Sequence, residues 1–428
     1  MKKQPVPETN EDFEPIPVET RLGDALSQTP LLDIHTHLYD PAMGKMLLWG
    51  IDDLLVYHYL VSEVFRYLPV PYEDFFALDK EQQADFIWNE LFIQHSPISE
   101  SCRGVITTLN MLGLDVNKRD LKSIRKWFSK RTAEEHVNDV FELGNLRGVV
   151  MTNSPFDREE IQIWKRGFKR DSRFLAALRV DPLLINYKDT IPFLREQGYD
   201  VRPELDETTR SELRRFLSEW ADKIDPLYLM VSLPPEFTYN VETSRHRMLT
   251  KVILPFCRER KMPFAMMCGV TRAVNPSLQL AGDSVGRSSI ESVENLCRTF
   301  PENKFLVTVL SRENQHHLCV AARKFRNLHP FGCWWFNNIP TLIDEITNLR
   351  FELLGLSFTP QHSDARVLDQ LVYKWTHFKE SLILTLGEKY SALEASGWEI
   401  SDKDIRRDLK GLLGGEFEAF CKEESQNK

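Results

Sequence analysis

A chain of 428 residues with 42% hydrophobic and 27% charged residues has the composition of a soluble globular protein, which excludes the fibrous and disordered classes. With 54 Lys plus Arg against 63 Asp plus Glu and a formal charge of -9, its overall field repels phosphate backbones and acidic lipid, so neither nucleic acid nor a membrane surface is expected as a partner. A local group of arginines can still attract a small anion.

Residues 1–20, MKKQPVPETNEDFEPIPVET, are rich in Pro and Glu and read as a flexible N-terminal arm. They contain no continuous apolar run of the signal-peptide kind, and no later stretch approaches the length of about eighteen apolar residues that a membrane span needs. The seven cysteines are widely spaced and never form a CxxC pair, so free thiols and a cytoplasmic location are expected.

Residues 21–428 are expected to form one domain. Eight short apolar runs recur along it: LLDIH (31–35), RGVVMTN (147–153), FLAALRV (174–180), LYLMVSL (227–233), PFAMMCG (263–269), KFLVTVL (304–310), HPFGCWWF (329–336) and LLGLSFT (353–359). Each is followed by a longer polar or helix-like segment, the alternation of parallel strands buried on both faces. The count predicts an α/β fold of the (β/α)8 TIM-barrel type; a doubly wound open sheet produces the same alternation.

Two stretches stand outside the repeat. About 40–140 reads as a helical insertion after the first strand, covering the top of the barrel. Within it Thr132 and Glu135 make a capping box, Val137, Val140 and Phe141 share a face, and Gly144 can close the helix. The tail from about 366 to 421 also reads as helices, with Ser401 as an N-cap and Ile405, Leu409, Leu412 and Leu413 on one face.

The sharpest local signal is Asp33-Ile34-His35-Thr36-His37. Residues i and i+2 of an extended chain point to one side, so both imidazoles can aim at one point, and two neutral histidines with a carboxylate are a common metal-binding set. A barrel delivers strand-end residues to its active face, and closure brings the eighth strand beside the first, so Asp364 of Ser363-Asp364-Ala365-Arg366 can reach His35 and His37. The bland alternative makes Asp364 an N-cap and Arg366 a surface charge. In GCWWFNN (332–338) the tryptophans read first as packing residues, while Asn337 and Asn338 suit polar readout of a ligand.

DIHTH near residue 35, His58-Tyr59 in the insertion, GCWWFNN and SDAR together resemble the uronate isomerase (glucuronate isomerase) family of the amidohydrolase superfamily, over about residues 31–421. The resemblance implies an aldose-ketose isomerase that moves a proton between C2 and C1 of a small acidic sugar such as D-glucuronate. It implies Asp364 as the base, and a divalent metal, zinc by preference, on His35, His37 and Asp364. Tyr59, supported by His58, would bond a substrate oxygen. Arg179, Arg272, Arg312 and Arg366 match arginines of the family and suit a carboxylate, Trp335 and Asn337 belong to the GCWWFNN motif on the substrate side, and a homo-oligomer is compatible with it.

The match has gaps. Met267 stands where the family has a histidine, Ser232-Leu233-Pro234 where it has Ser-Asp-His, and Asn153-Ser154 where it has Asp-Asp. A thioether cannot transfer a proton. Two other classes therefore stay open at this point, a metal-dependent hydrolase using the same HxH and Asp364, and a barrel that binds a sugar acid without turning it over.

Overall fold

Seven of the eight apolar runs meet in one curled parallel sheet. In a computed structural model that describes residues 17–239 and 241–422, the strands are β1 (Leu31–Thr36), β2 (Leu146–Asn153), β3 (Phe174–Arg179), β4 (Pro226–Leu233), β5 (Phe264–Cys268), β6 (Phe305–Val309) and β7 (Leu328–Pro330). They pair in chain order, each parallel to the next. Alternation along each strand sorts the side chains: Leu32, Val150, Tyr228, Met230 and Met267 join an inner cluster, whereas Leu31, Val149, Leu229, Met266 and Val307 pack with the surrounding helices. Phe417 and Phe420 of the last helix, Glu416–Lys422, belong to the inner cluster. Lys304, just before β6, donates to the Phe420 carbonyl at 2.8 Å, so these rings plug the end where the strands begin.

The last two runs differ from expectation. Of the seventh only His329 and Pro330 lie in a strand, Leu328–Pro330; Gly332 turns the chain with φ 68, and Trp335–Asn337 is a 3-10 turn. A Cβ on Gly332 would lie 1.8 Å from Cδ2 of His362, so the loop passes too close for any larger residue. The eighth run is not a strand, because the helix Pro340–Leu354 takes its first residues and Thr359 alone pairs, in a single parallel bridge to Phe331. Pro360 has no N–H to extend that bridge. The ring is closed instead by isolated backbone bonds: Gly332 N–H to the Thr359 carbonyl at 2.8 Å, Asp364 N–H to that of His35 at 3.1 Å, and His37 N–H to that of Ala365 at 2.7 Å.

Between β1 and β2 the described chain is helical and has its own apolar cluster, including Leu54, Phe75, Ile87 and Leu109, which reaches Val367 just past Asp364. The capping box of Thr132 and Glu135 starts the helix Ala133–Gly144. Gly144 is the last helical residue rather than the closing one; the left-handed position falls to Asn145, whose short polar side chain tolerates it. Ser401 caps the helix Asp402–Lys410 as expected.

Residues 1–16 of the expected arm lie outside the described residues. Val18–Gln28 is a helix whose Val18, Leu22 and Leu26 are buried, packed on the long helix Gln370–Ala395. Among the described residues no helix is long and apolar enough to cross a membrane.

Candidate active site

The register of β1 shifts against β2 between Asp33 and Thr36, and such an irregularity re-aims side chains at the end of a strand. His35 and His37 converge there, their rings edge to face at 5.3 Å. Asp364 Oδ1 lies 3.4 Å from His35 Nε2 and 3.3 Å from His37 Nε2, and all three ligand atoms fall within 4.8 Å of one another. Closure of the ring has therefore brought the carboxylate to both imidazoles.

Asp364 sits in the left-handed region, φ 53. Burial pushes its carboxyl up, but the facing imidazoles outweigh this and hold it well below the usual carboxylate range. Burial, reinforced by the Arg366 charge, pulls His37 down to about 3, so its imidazole is neutral. His35 Nε2 and Asp364 Oδ1 are both buried and have no hydrogen-bond partner. Three donor atoms that converge while two of them are buried without a hydrogen-bond partner leave room for a cation among them, and two imidazoles plus a carboxylate suit a divalent ion with a position left open. The donor set fits such an ion.

Beside this trio lies a cleft of about 490 Å³ lined by His37, Tyr39, Thr152, Ser154, Arg179, Asp181 and Arg366, among others. Arg366 has no ion-pair partner among the described residues, so its guanidinium is free to engage an anion. Arg179 is bound by Asp181, which also accepts from Ser232 N–H at 2.9 Å. From the insertion come His58 and Tyr59, whose rings meet edge to face at 4.6 Å, with Trp335 5.4 Å from His58. His58 Nε2, Tyr59 Oη and Trp335 Nε1 are buried without partners. Burial, then the Arg366 charge, pulls His58 down to about 3, and burial holds the Tyr59 phenol well above its ordinary value, so both are neutral.

Three other residues proposed from the resemblance lie apart from the cleft. Arg272 and Arg312 are mostly exposed and already paired, with Asp283 and with Glu345 respectively. Asn337 gives its amide N–H groups to the Val309 and Leu310 carbonyls at 3.1 and 2.9 Å, which ties the turn after β7 to the end of β6. Met267 is buried in the inner cluster and faces apolar neighbours.

Sequence reasoning missed several residues that shape the site. Tyr228 on β4 meets His35 inside the barrel at 3.3 Å. Glu160 is fully buried and accepts from Asn153 Nδ2, Ser154 N–H, Trp164 Nε1 and, at 3.4 Å, the Tyr39 hydroxyl. From the helix Gln370–Ala395, Lys374 reaches the Asp364 loop and Trp375 reaches Asp33 of β1. A buried Lys or Glu on an otherwise apolar helix face was the one available signal.

No protein-family model and no curated protein sequence matches the chain. Among solved structures it is similar to a uronate isomerase from Bacillus halodurans, with 50% identity, 95% of this chain and 96% of that chain covered, and a TM-score of 0.94. A uronate isomerase from Thermotoga maritima matches at 15% identity over 94% of this chain and 96% of that one, TM-score 0.77. A glucuronate isomerase from Caulobacter crescentus matches at 13% over 96% and 95%, TM-score 0.74. At these lower identities the likeness is one of fold.

Proposed function

The chain belongs to the uronate isomerase family, and from that premise we propose that Asp364 is the base of an aldose-ketose isomerisation whose substrate is anchored by Arg366 and Arg179. The observation that carries the reading is the meeting of Asp364, His35 and His37 at the edge of a cleft that holds an unpaired guanidinium. Oligomeric state does not enter it.

The reaction moves one proton between carbons and one between oxygens. In the open-chain sugar the C2–H bond breaks and its electron pair forms a C1–C2 double bond, while the C1 carbonyl oxygen takes up a proton, giving an enediol. The O2–H proton is then lost, C2 becomes the carbonyl, and C1 receives a proton. One carboxylate placed over both carbons can serve each transfer, which is worth ~10²- to 10⁴-fold when the group is held in position. Asp364 is ionised and fixed on both sides by backbone bonds, as that role requires.

His35, His37 and Asp364 would hold a divalent ion, which when bound supplies a Lewis acid for the two oxygens that change charge. The protein's own groups do the rest. The Tyr59 phenol, neutral and without a partner, can donate to a substrate oxygen, and His58 Nε2 faces the same region. A planar guanidinium can engage both oxygens of the sugar's carboxylate, which fixes the far end while C1 and C2 react. The hydrolase alternative asks for a further His or Lys from a middle strand, and β4 and β5 offer Ser232 and Met267 instead.

The test is ketose formation from a panel of uronates, including D-glucuronate and D-galacturonate, with and without added divalent ion. Isomerisation of at least one uronate supports the reading. Hydrolysis of an ester or amide with no ketose formed would overturn it.

A further inference from the structure

Asp364 carries a left-handed backbone, φ 53, which is unfavourable for an L-residue and must be held by its surroundings. The residue that precedes it is held through both its backbone N–H and its carbonyl. Ser363 N–H donates to Asp33 Oδ1 at 3.1 Å, and the Ser363 carbonyl accepts from Lys374 Nζ at 2.6 Å. The next residue of the same helix, Trp375, donates from Nε1 to Asp33 Oδ2 at 2.9 Å. Two consecutive side chains of the helix Gln370–Ala395 thus pin the loop to β1.

Lys374 is also only 3% exposed and lies within ion-pair distance of no carboxylate among the described residues. A buried ammonium without a direct ion pair is costly where an apolar residue would pack more favourably. Its Nζ lies 5.5 Å from the centre of the Tyr59 ring, on the face where a cation is attracted. The same ammonium therefore bonds the loop of Asp364 and faces the ring that the insertion brings to the site.

The geometry points to Lys374 as a positioning residue that registers Tyr59 of the insertion against Asp364 of the barrel. This rests on the isomerase reading of Asp364 and adds to it the means by which two distant segments are held at one distance. Lys374 contacts no substrate, so its loss is felt in the alignment of the reacting groups rather than in sugar binding.

The experiment compares Lys374→Met, Lys374→Gln and Trp375→Phe in the full chain, with kcat, KM, thermal midpoint and bound divalent ion measured on each. Lys374→Met is expected to lower kcat ~30- to 300-fold with KM within about threefold and metal content unchanged. Lys374→Gln keeps an N–H donor for Ser363 and is expected to recover part of kcat, and Trp375→Phe to lose less than about tenfold. A folded Lys374 variant with wild-type kcat overturns the inference, as does a loss of activity that merely follows the unfolded fraction. If the wild-type protein forms no ketose from any uronate, it is the isomerase reading that fails.

Discussion

The Tyr228 hydroxyl donates its proton to the Ile34 carbonyl at 2.7 Å and lies 3.3 Å from Nδ1 of His35. A phenol has one proton, and the shorter contact takes it; the longer one must then be His35 Nδ1–H donating to the phenol oxygen. The proton on Nδ1 is thereby fixed and Nε2 is turned toward Asp364, the side on which a divalent ion would be held. A single buried tyrosine three strands along the sheet decides what His35 can bind.

Tyr228→Phe should leave the fold intact and weaken divalent-ion binding. Loss of an outer hydrogen-bond partner of a metal-binding histidine typically costs about 10- to 100-fold in affinity. Titration calorimetry with zinc or manganese on wild type and variant measures it; equal affinities would show that Tyr228 does not control the tautomer.

His35→Ala and His37→Ala should each reduce the divalent ion retained after desalting to a small fraction of an equivalent, because each removes one of the three donors clustered among the described residues. Elemental analysis reads this without reference to turnover. Retention of a full equivalent by both variants would place the ion elsewhere.

Asp364→Asn should lower kcat for uronate isomerisation by ~10³-fold or more with the thermal midpoint little changed, because an amide is a very weak base. Arg366→Ala should raise KM about 10- to 100-fold, the equivalent of one charge-assisted bond of ~1.5–3 kcal/mol. Arg272→Ala and Arg312→Ala should shift KM by less than about twofold, since both side chains are exposed and already paired outside the cleft. Steady-state kinetics on all four orders the arginines; a large KM effect at Arg312 would contradict the placement.

Glu160 gives a pH signature of its own. Burial is the largest influence on its carboxyl and raises it from 4.5 to about 7, despite the bonds from Ser154, Asn153 and Trp164 that favour the ionised form. Between those two values the native state holds more protons than the unfolded chain, so this group makes stability fall as pH rises through the window and level off above it. Glu160→Gln should remove that slope, worth roughly 3 kcal/mol across the window. Denaturation midpoints at pH 5 and 8, compared between wild type and variant, measure the difference; identical slopes would mean that the carboxyl titrates normally.

The spacing of the residues alone announced seven of the strands, the helical insertion with its Thr132 capping box, and the pair of imidazoles at the mouth of β1, because periodicity and capping are written in residues two to four positions apart. The motifs around His58, GCWWFNN and SDAR added the family and Asp364. Only the tertiary structure replaced the eighth strand with a loop, separated Arg366 and Arg179 from Arg272 and Arg312, and disclosed Tyr228, Glu160 and Lys374. Those outcomes depend on contacts between residues far apart in the chain, such as Asp33 with Trp375, whose partners are chosen by ring closure and helix packing and leave no local pattern.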